Sequence, residues 1–409
     1  MLTTTIQSDT ITSHIPTETQ DVLLLRAPRQ PYEFVENWPR PQIESENEVL
    51  IRIKAIGLNP VDWKSADYNF ALPTLPAING RDLAGTIVRT GSAVSKFKIG
   101  DQVFAPSTQY RDYRTSAFQQ YAVLPEHCVA KVPSSTKLHN AAAIGVGAVT
   151  AALAIGSALG IEFEGFSPRK YAIGADGEEL AWSSSVLSED IGNLEGLLTD
   201  KLQHSAIAST DAKLHDENDF EPINSSPKEP WLLIWGGTVS GHFAAQFARL
   251  AGLKVIAVAN ATKHSSRLKA VGVDHVIDRL NPEEAVVEIR RLTDGNLCYA
   301  VDCVGSKTAA FAIQCLDAIS SSQIVGLSGL PKTVPPNVKQ STVPIKTFHT
   351  NPRVGSELTS LLTRLLEEGK LQAPCVEVIE GGLQAVNSGL DRLRRNGLDF
   401  GRLVVKMQE

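Results

Sequence analysis

From Val22 to Ala130 the chain alternates short apolar runs with Gly, Pro and Asp, as in 48–55, 84–89 and 120–124. Period-two alternation broken by turn residues every dozen or so positions predicts a mostly β module. From Trp231 the pattern changes. Apolar runs at 231–235, 254–258, 275–277 and 299–302 are separated by helical periodicity at about 241–251, near Arg267, and at 282–292. Strand and helix in regular alternation predict a parallel sheet covered by helices on both faces. After about Gly355, Leu358–Leu366 reads as an amphipathic helix and Arg402–Lys406 as a closing strand. No internal repeat is present.

Two stretches depart from these patterns. Residues 141–160 are uncharged throughout, long enough to span a membrane on length alone. Fourteen of the twenty are Ala, Gly, Ser or Thr, which gives little drive to enter lipid and predicts a closely packed buried helix at a domain junction. Residues 161–230 are rich in Ser, Asp, Glu and Asn and lack sustained periodicity. Weakly helical patches at 180–187 and 191–202 interrupt them, and Pro222, Pro227 and Pro230 close them. Such a stretch reads as an insertion.

Charge sharpens that division. The chain of 409 residues has a formal net charge of -6, which excludes a generally basic nucleic-acid-binding surface. Residues 162–230 hold 15 acidic and 5 basic side chains, so the remainder carries 30 acidic and 34 basic, a net of +4. The acidity belongs to the insertion. The slightly basic body suits a phosphate-bearing cofactor or an acidic partner. Five cysteines at 128, 298, 303, 315 and 375 form no CxxC pair, so neither a disulfide framework nor a zinc ribbon is indicated. The first twenty residues lack Lys and Arg and read as a loose tail rather than a leader peptide, which points to the cytoplasm.

The strongest chemical signal is the run 232–252. An apolar strand enters a turn containing Gly236, Gly237, Thr238, Val239, Ser240 and Gly241, and a small-residue helix follows. Glycines permit close backbone approach to a pyrophosphate, and a helix N-terminus favours its charge. A plain strand-to-helix turn is the competing reading of the glycines. The second strand ends at Asn260, Thr262, Lys263 and Arg267, with no Asp or Glu to receive a ribose 2′-hydroxyl. Neutral and basic groups there favour a 2′-phosphate and hence NADPH, although single basic residues on a helix also serve simply as solvated surface.

Taken together, the chain resembles the medium-chain dehydrogenase/reductase superfamily in its zinc-independent, quinone-oxidoreductase-like branch, and within it fungal trans-acting enoyl reductases of polyketide pathways. The runs that carry the resemblance are 55–64, 80–85, 94–103, 117–122 and 130–133, with the glycine turn, 302–305 and 401–405. It implies an α/β fold with a GroES-like β-barrel domain from 21–150 and 351–409, a Rossmann doubly wound parallel-sheet domain from 151–350, and the acidic insertion 161–230 at their junction. It also implies cofactor contacts from Val304 and Leu327. Zinc-dependent members place Cys where this chain has Asn59, and Gly-His-Glu where it has Gly80-Arg81-Asp82. No zinc site is therefore expected from these residue types.

The implied chemistry is NADPH-dependent reduction of an activated C=C bond, on a substrate carried by a polyketide synthase carrier domain. A stand-alone quinone or enone reductase, and a catalytically silent binding protein, are the alternatives. Candidate catalytic residues are Asn59, Lys64, Tyr68 and Thr150, with Tyr68 also readable as a half-buried loop aromatic and Asp82 as a structural carboxylate. His127, His242 and His349 have no ligand spacing and are expected to pack. The glycine turn is one residue shorter than in relatives, which either shifts the pyrophosphate or starts the helix earlier.

Overall fold

A computed structural model describes residues 18–72, 74–167, 230–396 and 401–408. Most of the insertion, with its two weakly helical patches, lies outside the described residues, as does most of the N-terminal tail.

The first half is built from β1 (Thr19–Leu25), β2 (Glu33–Pro39), β3 (Glu48–Gly57), α1 (Pro60–Tyr68), β4 (Ala77–Ile78), β5 (Asp82–Thr90), β6 (Gln102–Pro106), β7 (Tyr121–Pro125) and β8 (Ala130–Lys131). Short helices α2 (Leu138–Ala141) and α3 (Gly145–Leu153) follow. The second half contains β9 (Trp231–Trp235), α4 (Val239–Leu250), β10 (Lys254–Ala259), α5 (Ala261–Ala270), β11 (His275–Asp278), α6 (Pro282–Leu292), β12 (Tyr299–Asp302), α7 (Ser306–Cys315), β13 (Ser322–Gly326) and β14 (Val338–Thr342). The chain ends with α8 (Thr347–Thr350), α9 (Pro352–Glu367), β15 (Val376–Ile379), α10 (Val386–Asn396) and β16 (Arg402–Lys406).

Strands β9 to β14 form one six-stranded sheet in the order β11-β10-β9-β12-β13-β14, parallel throughout. The order reverses between β10 and β12 on either side of β9, which creates a crevice at the strand C-termini. The central strands are apolar because both faces are covered: Leu232, Leu233 and Ile234 are all buried. A seven-stranded sheet runs β15-β16-β3-β5-β6-β8, with β7 also paired to β3. The C-terminal strand β16 thus pairs antiparallel with β3, returning the chain to its first half. β1, β2 and β4 make a small third sheet.

The uncharged stretch 141–160 is buried as expected, but it is not one helix. α2 ends at Ala141, α3 starts at Gly145, and a π-turn covers Ala154–Ala158. The break has a cause in Asp82, whose Oδ1 accepts the Val146 N–H at 2.7 Å and holds the start of α3 against β5. Close packing explains the small residues. A Cβ on Gly147 would lie 2.8 Å from Val239 and 3.5 Å from Phe243, so glycine lets α3 sit directly on α4. Among the described residues no helix is long and apolar enough to cross a membrane.

Candidate active site

The glycine turn leaves β9 at the point of strand-order reversal. Gly236 has φ +123°, a conformation open to glycine and strained for other residues. Thr238 is the N-cap of α4, and its hydroxyl accepts the Gly241 N–H at 3.1 Å. The helix therefore begins at Val239, two residues before the predicted start. The short spacing is absorbed by earlier helix initiation, with Gly241 in the first turn. A Cβ on Gly241 would meet the Gly236 carbonyl oxygen at 2.5 Å, and one on Gly237 would meet His264 at 3.0 Å and Ala259 at 3.2 Å. The turn is a backbone cradle that side chains would fill.

Neighbouring strand ends complete the crevice. Asp302 at the end of β12 accepts the Val304 and Gly305 N–H groups at 2.9 and 2.7 Å, fixing the loop beside Gly236. Burial pushes its carboxyl above the ordinary aspartate value. A Cβ on Gly236 would touch Val304 at 2.9 Å, so that loop closes one wall of the cradle. Val304 is 50% exposed, unusual for a branched apolar side chain beside a polar turn, and it offers a greasy edge to a planar ligand. Leu327 lies just past β13, where its N–H donates to the Asp302 carbonyl at 2.8 Å.

At the end of β10, Asn260 caps α5, its Oδ1 accepting the Lys263 N–H at 3.0 Å. Lys263 is exposed in the first turn of that helix. Arg267 folds back, donating to the Gly237 carbonyl at 3.2 Å, and burial holds its guanidinium below the ordinary arginine value. Sequence reasoning missed Asp278. It arrives from the neighbouring strand β11 and accepts the Ala261 N–H at 2.9 Å, and nothing local in sequence links it to Asn260.

A second group of candidate residues lies on α1, whose N-cap is tied to the start of β5. Asn59 caps α1, and Asp62 accepts its N–H at 2.8 Å. The Asn59 amide nitrogen donates to the Gly57 carbonyl at 3.3 Å and to Asp82 Oδ2 at 3.0 Å. Both of its amide hydrogens are engaged within the protein. Asn59, one of the candidate catalytic residues, thus has its amide donors committed to these neighbours. Asp82 is a structural carboxylate, also ion-paired with buried Arg402. One continuous path therefore runs from Asn59 through Asp82 to the start of α3, and through Gly147 to the first turn of α4.

Lys64 and Tyr68, four residues apart, share a half-buried face of α1. Burial holds the Lys64 ammonium below the ordinary lysine range. Thr150 is half-buried on α3, three residues beyond Gly147. Among the described residues the heads of Lys64, Tyr68 and Thr150 make no hydrogen bond or ion pair, leaving them available to a ligand. Tyr68 sits nine residues from Asn59, roughly 13 Å along the helix, so these two do not converge on one atom. The Tyr68 ring packs 6.2 Å from that of Trp63.

The histidines have packing partners. His349 Nδ1 lies 2.8 Å from the Thr108 hydroxyl, His127 Nε2 3.1 Å from the His349 carbonyl, and His242 Nε2 2.8 Å from the Gln372 carbonyl. Burial pushes His242 down to about 4, so its ring is neutral near pH 7. A nicotinamide dinucleotide fits the glycine cradle, the α4 N-terminus and the buried, unpartnered Arg267 Nε beside it. Zinc does not fit at the positions 59, 81 and 82, which offer an engaged amide, a guanidinium cation and an ion-paired carboxylate.

Two family models match the chain: the alcohol dehydrogenase GroES-like domain over residues 45–134 and the zinc-binding dehydrogenase domain over residues 241–357. A trans-enoyl reductase of Aspergillus japonicus is 28% identical, the match covering 88% of this chain and 90% of the relative. The enoyl reductase component of lovastatin nonaketide synthase from Aspergillus terreus is 26% identical over 90% of this chain and 92% of its own. Among solved structures, a quinone oxidoreductase of Pseudomonas syringae pv. tomato superposes with a TM-score of 0.66 at 19% identity, covering 95% of this chain and 99% of that one. This last likeness is one of fold.

Proposed function

This chain belongs to the medium-chain dehydrogenase/reductase superfamily, and from that premise we propose that it is an enoyl reductase that uses NADPH to saturate an activated C=C bond in a carrier-bound polyketide intermediate. The observation that carries the proposal is the glycine cradle; beside it stand the heads of Lys64, Tyr68 and Thr150, free of hydrogen bonds and ion pairs among the described residues, and the poor fit of zinc to positions 59, 81 and 82. Relatives named as trans-enoyl reductases, and one named as the enoyl reductase component of a nonaketide synthase, align along most of the chain and support the same reaction.

The nicotinamide, when bound, supplies a hydride to the β-carbon of the alkene. The chain's own residues hold and complete the reaction. Gly236, Gly237 and Gly241 let the backbone approach the pyrophosphate, with Thr238, Val239 and Ser240 presenting the first helical turn. Val304 and Leu327 flank the ring side. Lys64, with its lowered proton affinity, and Tyr68, on the same helix face, are the candidates to deliver a proton to the α-carbon. Thr150 orients the bound groups. In this reading the chain divides at 150 and 350 into a GroES-like unit and a Rossmann unit with the site between them, and the +4 body favours an acidic carrier partner. The five free cysteines suit work in the cytoplasm.

Lys263, Arg267 and Asn260 are assigned to the 2′-phosphate. Lys263→Ala with Arg267→Ala is expected to weaken NADPH at least about tenfold while leaving NADH within about twofold, since each charge-assisted phosphate contact is strong. Fluorescence titration with both nucleotides checks this. An unchanged preference, or one for NADH in the parent protein, would move the ribose-reading role to Asp278. The reaction itself is tested by initial rates with NADPH on a crotonyl thioester and, separately, on a quinone. A higher rate on the quinone would favour the diffusible-substrate reading.

A further inference from the structure

Two arginines among the described residues are buried to 3% exposure, Arg81 and Arg402. Arg402 is neutralised by Asp82. Arg81 has no carboxylate within ion-pair distance among the described residues. Its guanidinium donates one hydrogen bond, to the Ala71 carbonyl at 3.2 Å, and lies 3.9 Å over the Tyr110 ring. Its Nε is buried and has no hydrogen-bond partner among the described residues. Asp62 feels the Arg81 charge, but burial outweighs that attraction and pushes its carboxyl up to about 7, so it is a weak counter-ion near neutral pH.

A cation stacked on an aromatic ring recovers only part of what removal from water costs a buried ion. A guanidinium left in this state has spare N–H donors and an unbalanced positive charge, with a planar fork suited to carboxylate-like oxygens. Its position fits that use. Ala71 and Tyr110, the two groups against it, are both half-buried, so the residues covering the guanidinium reach the surface although it does not. Ala71 is three residues past Tyr68, within about 11 Å by chain length, at the end of α1 that carries the candidate proton donor.

We propose that Arg81 is the oxyanion-reading residue of the substrate cleft, binding the thioester carbonyl oxygen of the alkene substrate as it becomes an enolate. This rests on the enoyl-reductase reading. When hydride adds to the β-carbon, the C=C electron pair moves between the α- and carbonyl carbons, and a carbonyl pair moves onto oxygen. Protonation of the α-carbon then returns that pair and restores the carbonyl. Arg81 stays protonated throughout. It stabilises the charge at oxygen while the proton comes from elsewhere, the work zinc would do as a Lewis acid.

The probe is sodium crotonate, whose carboxylate mimics the charged oxygen and whose binding needs no turnover. Calorimetry on the full chain with NADPH present is expected to show millimolar binding, weakened at least about tenfold in Arg81→Met. The same variant is expected to lose about 100-fold in kcat/KM on a crotonyl thioester with NADPH affinity within twofold of the parent. Arg81→Lys, which keeps the charge but not the fork, is expected to fall between, and it reads the site should Arg81→Met not fold. Crotonate binding equal in parent and either variant, or none by the parent up to about 50 mM, overturns the assignment. Arg81-dependent crotonate binding without any thioester reduction would instead overturn the enoyl-reductase reading and leave the oxyanion site standing.

Discussion

Asp82→Ala is expected to destabilise the protein by about 3–5 kcal/mol, the range for removing one partner of a buried ion pair. Three interactions end at that carboxylate: the ion pair with Arg402, the Val146 N–H at the start of α3, and the Asn59 amide. Its loss leaves Arg402 as an uncompensated buried cation, whose one remaining hydrogen bond among the described residues is to the Ala143 carbonyl at 3.3 Å. It also removes negative charge from a helix N-terminus, where the macrodipole favours it. Denaturant unfolding measures the cost. Asp82→Leu combined with Arg402→Met should recover much of it, because the desolvated charge is then absent from both sides. Activity should not recover in the double variant, since Asn59 and α3 lose their common anchor. A single-variant cost below about 1 kcal/mol, the scale of surface pairs, would show that Asp82 does not tie α1 to α3.

Gly241→Val is expected to weaken nucleotide binding at least about 100-fold, because a side chain there must displace the turn that receives the pyrophosphate. The first added carbon would lie 2.5 Å from the Gly236 carbonyl and 3.3 Å from Ile234, both fixed in the sheet-to-turn junction. Overpacking of this kind also costs about 1–3 kcal/mol of stability. Gly252→Ala separates the two effects. Gly252 has φ +77° but open space around its Cβ position, so that substitution should cost about 1 kcal/mol of backbone strain and leave nucleotide affinity unchanged. Fluorescence titration of both variants with NADPH decides. Equal affinities would place the pyrophosphate away from this turn.

The periodic elements were legible because each is set by a pattern within a few residues. Buried β9 and amphipathic α9 needed only their own apolar spacing. The start of α4 at Val239 was misplaced because a side chain, Thr238, supplies the cap, and hydrophobic periodicity does not register caps. The break in 141–160 was invisible because its cause, Asp82, is some sixty residues away. The same limit applies at the site. The glycine cradle is local and was readable. The engagement of Asn59, the fold-back of Arg267 onto Gly237, the arrival of Asp278 and the isolation of Arg81 depend on residues brought together by sheet topology. Residue type suggested each as a candidate or passed it by; only the partners assign the role.

The most direct test is the rate of NADPH oxidation by metal-washed protein given a crotonyl thioester, with the organic product identified. The account predicts NADPH consumption matched one for one by saturated thioester, undiminished by chelator. NADPH that binds and raises the melting temperature, yet is not consumed with any enoyl thioester, would contradict it.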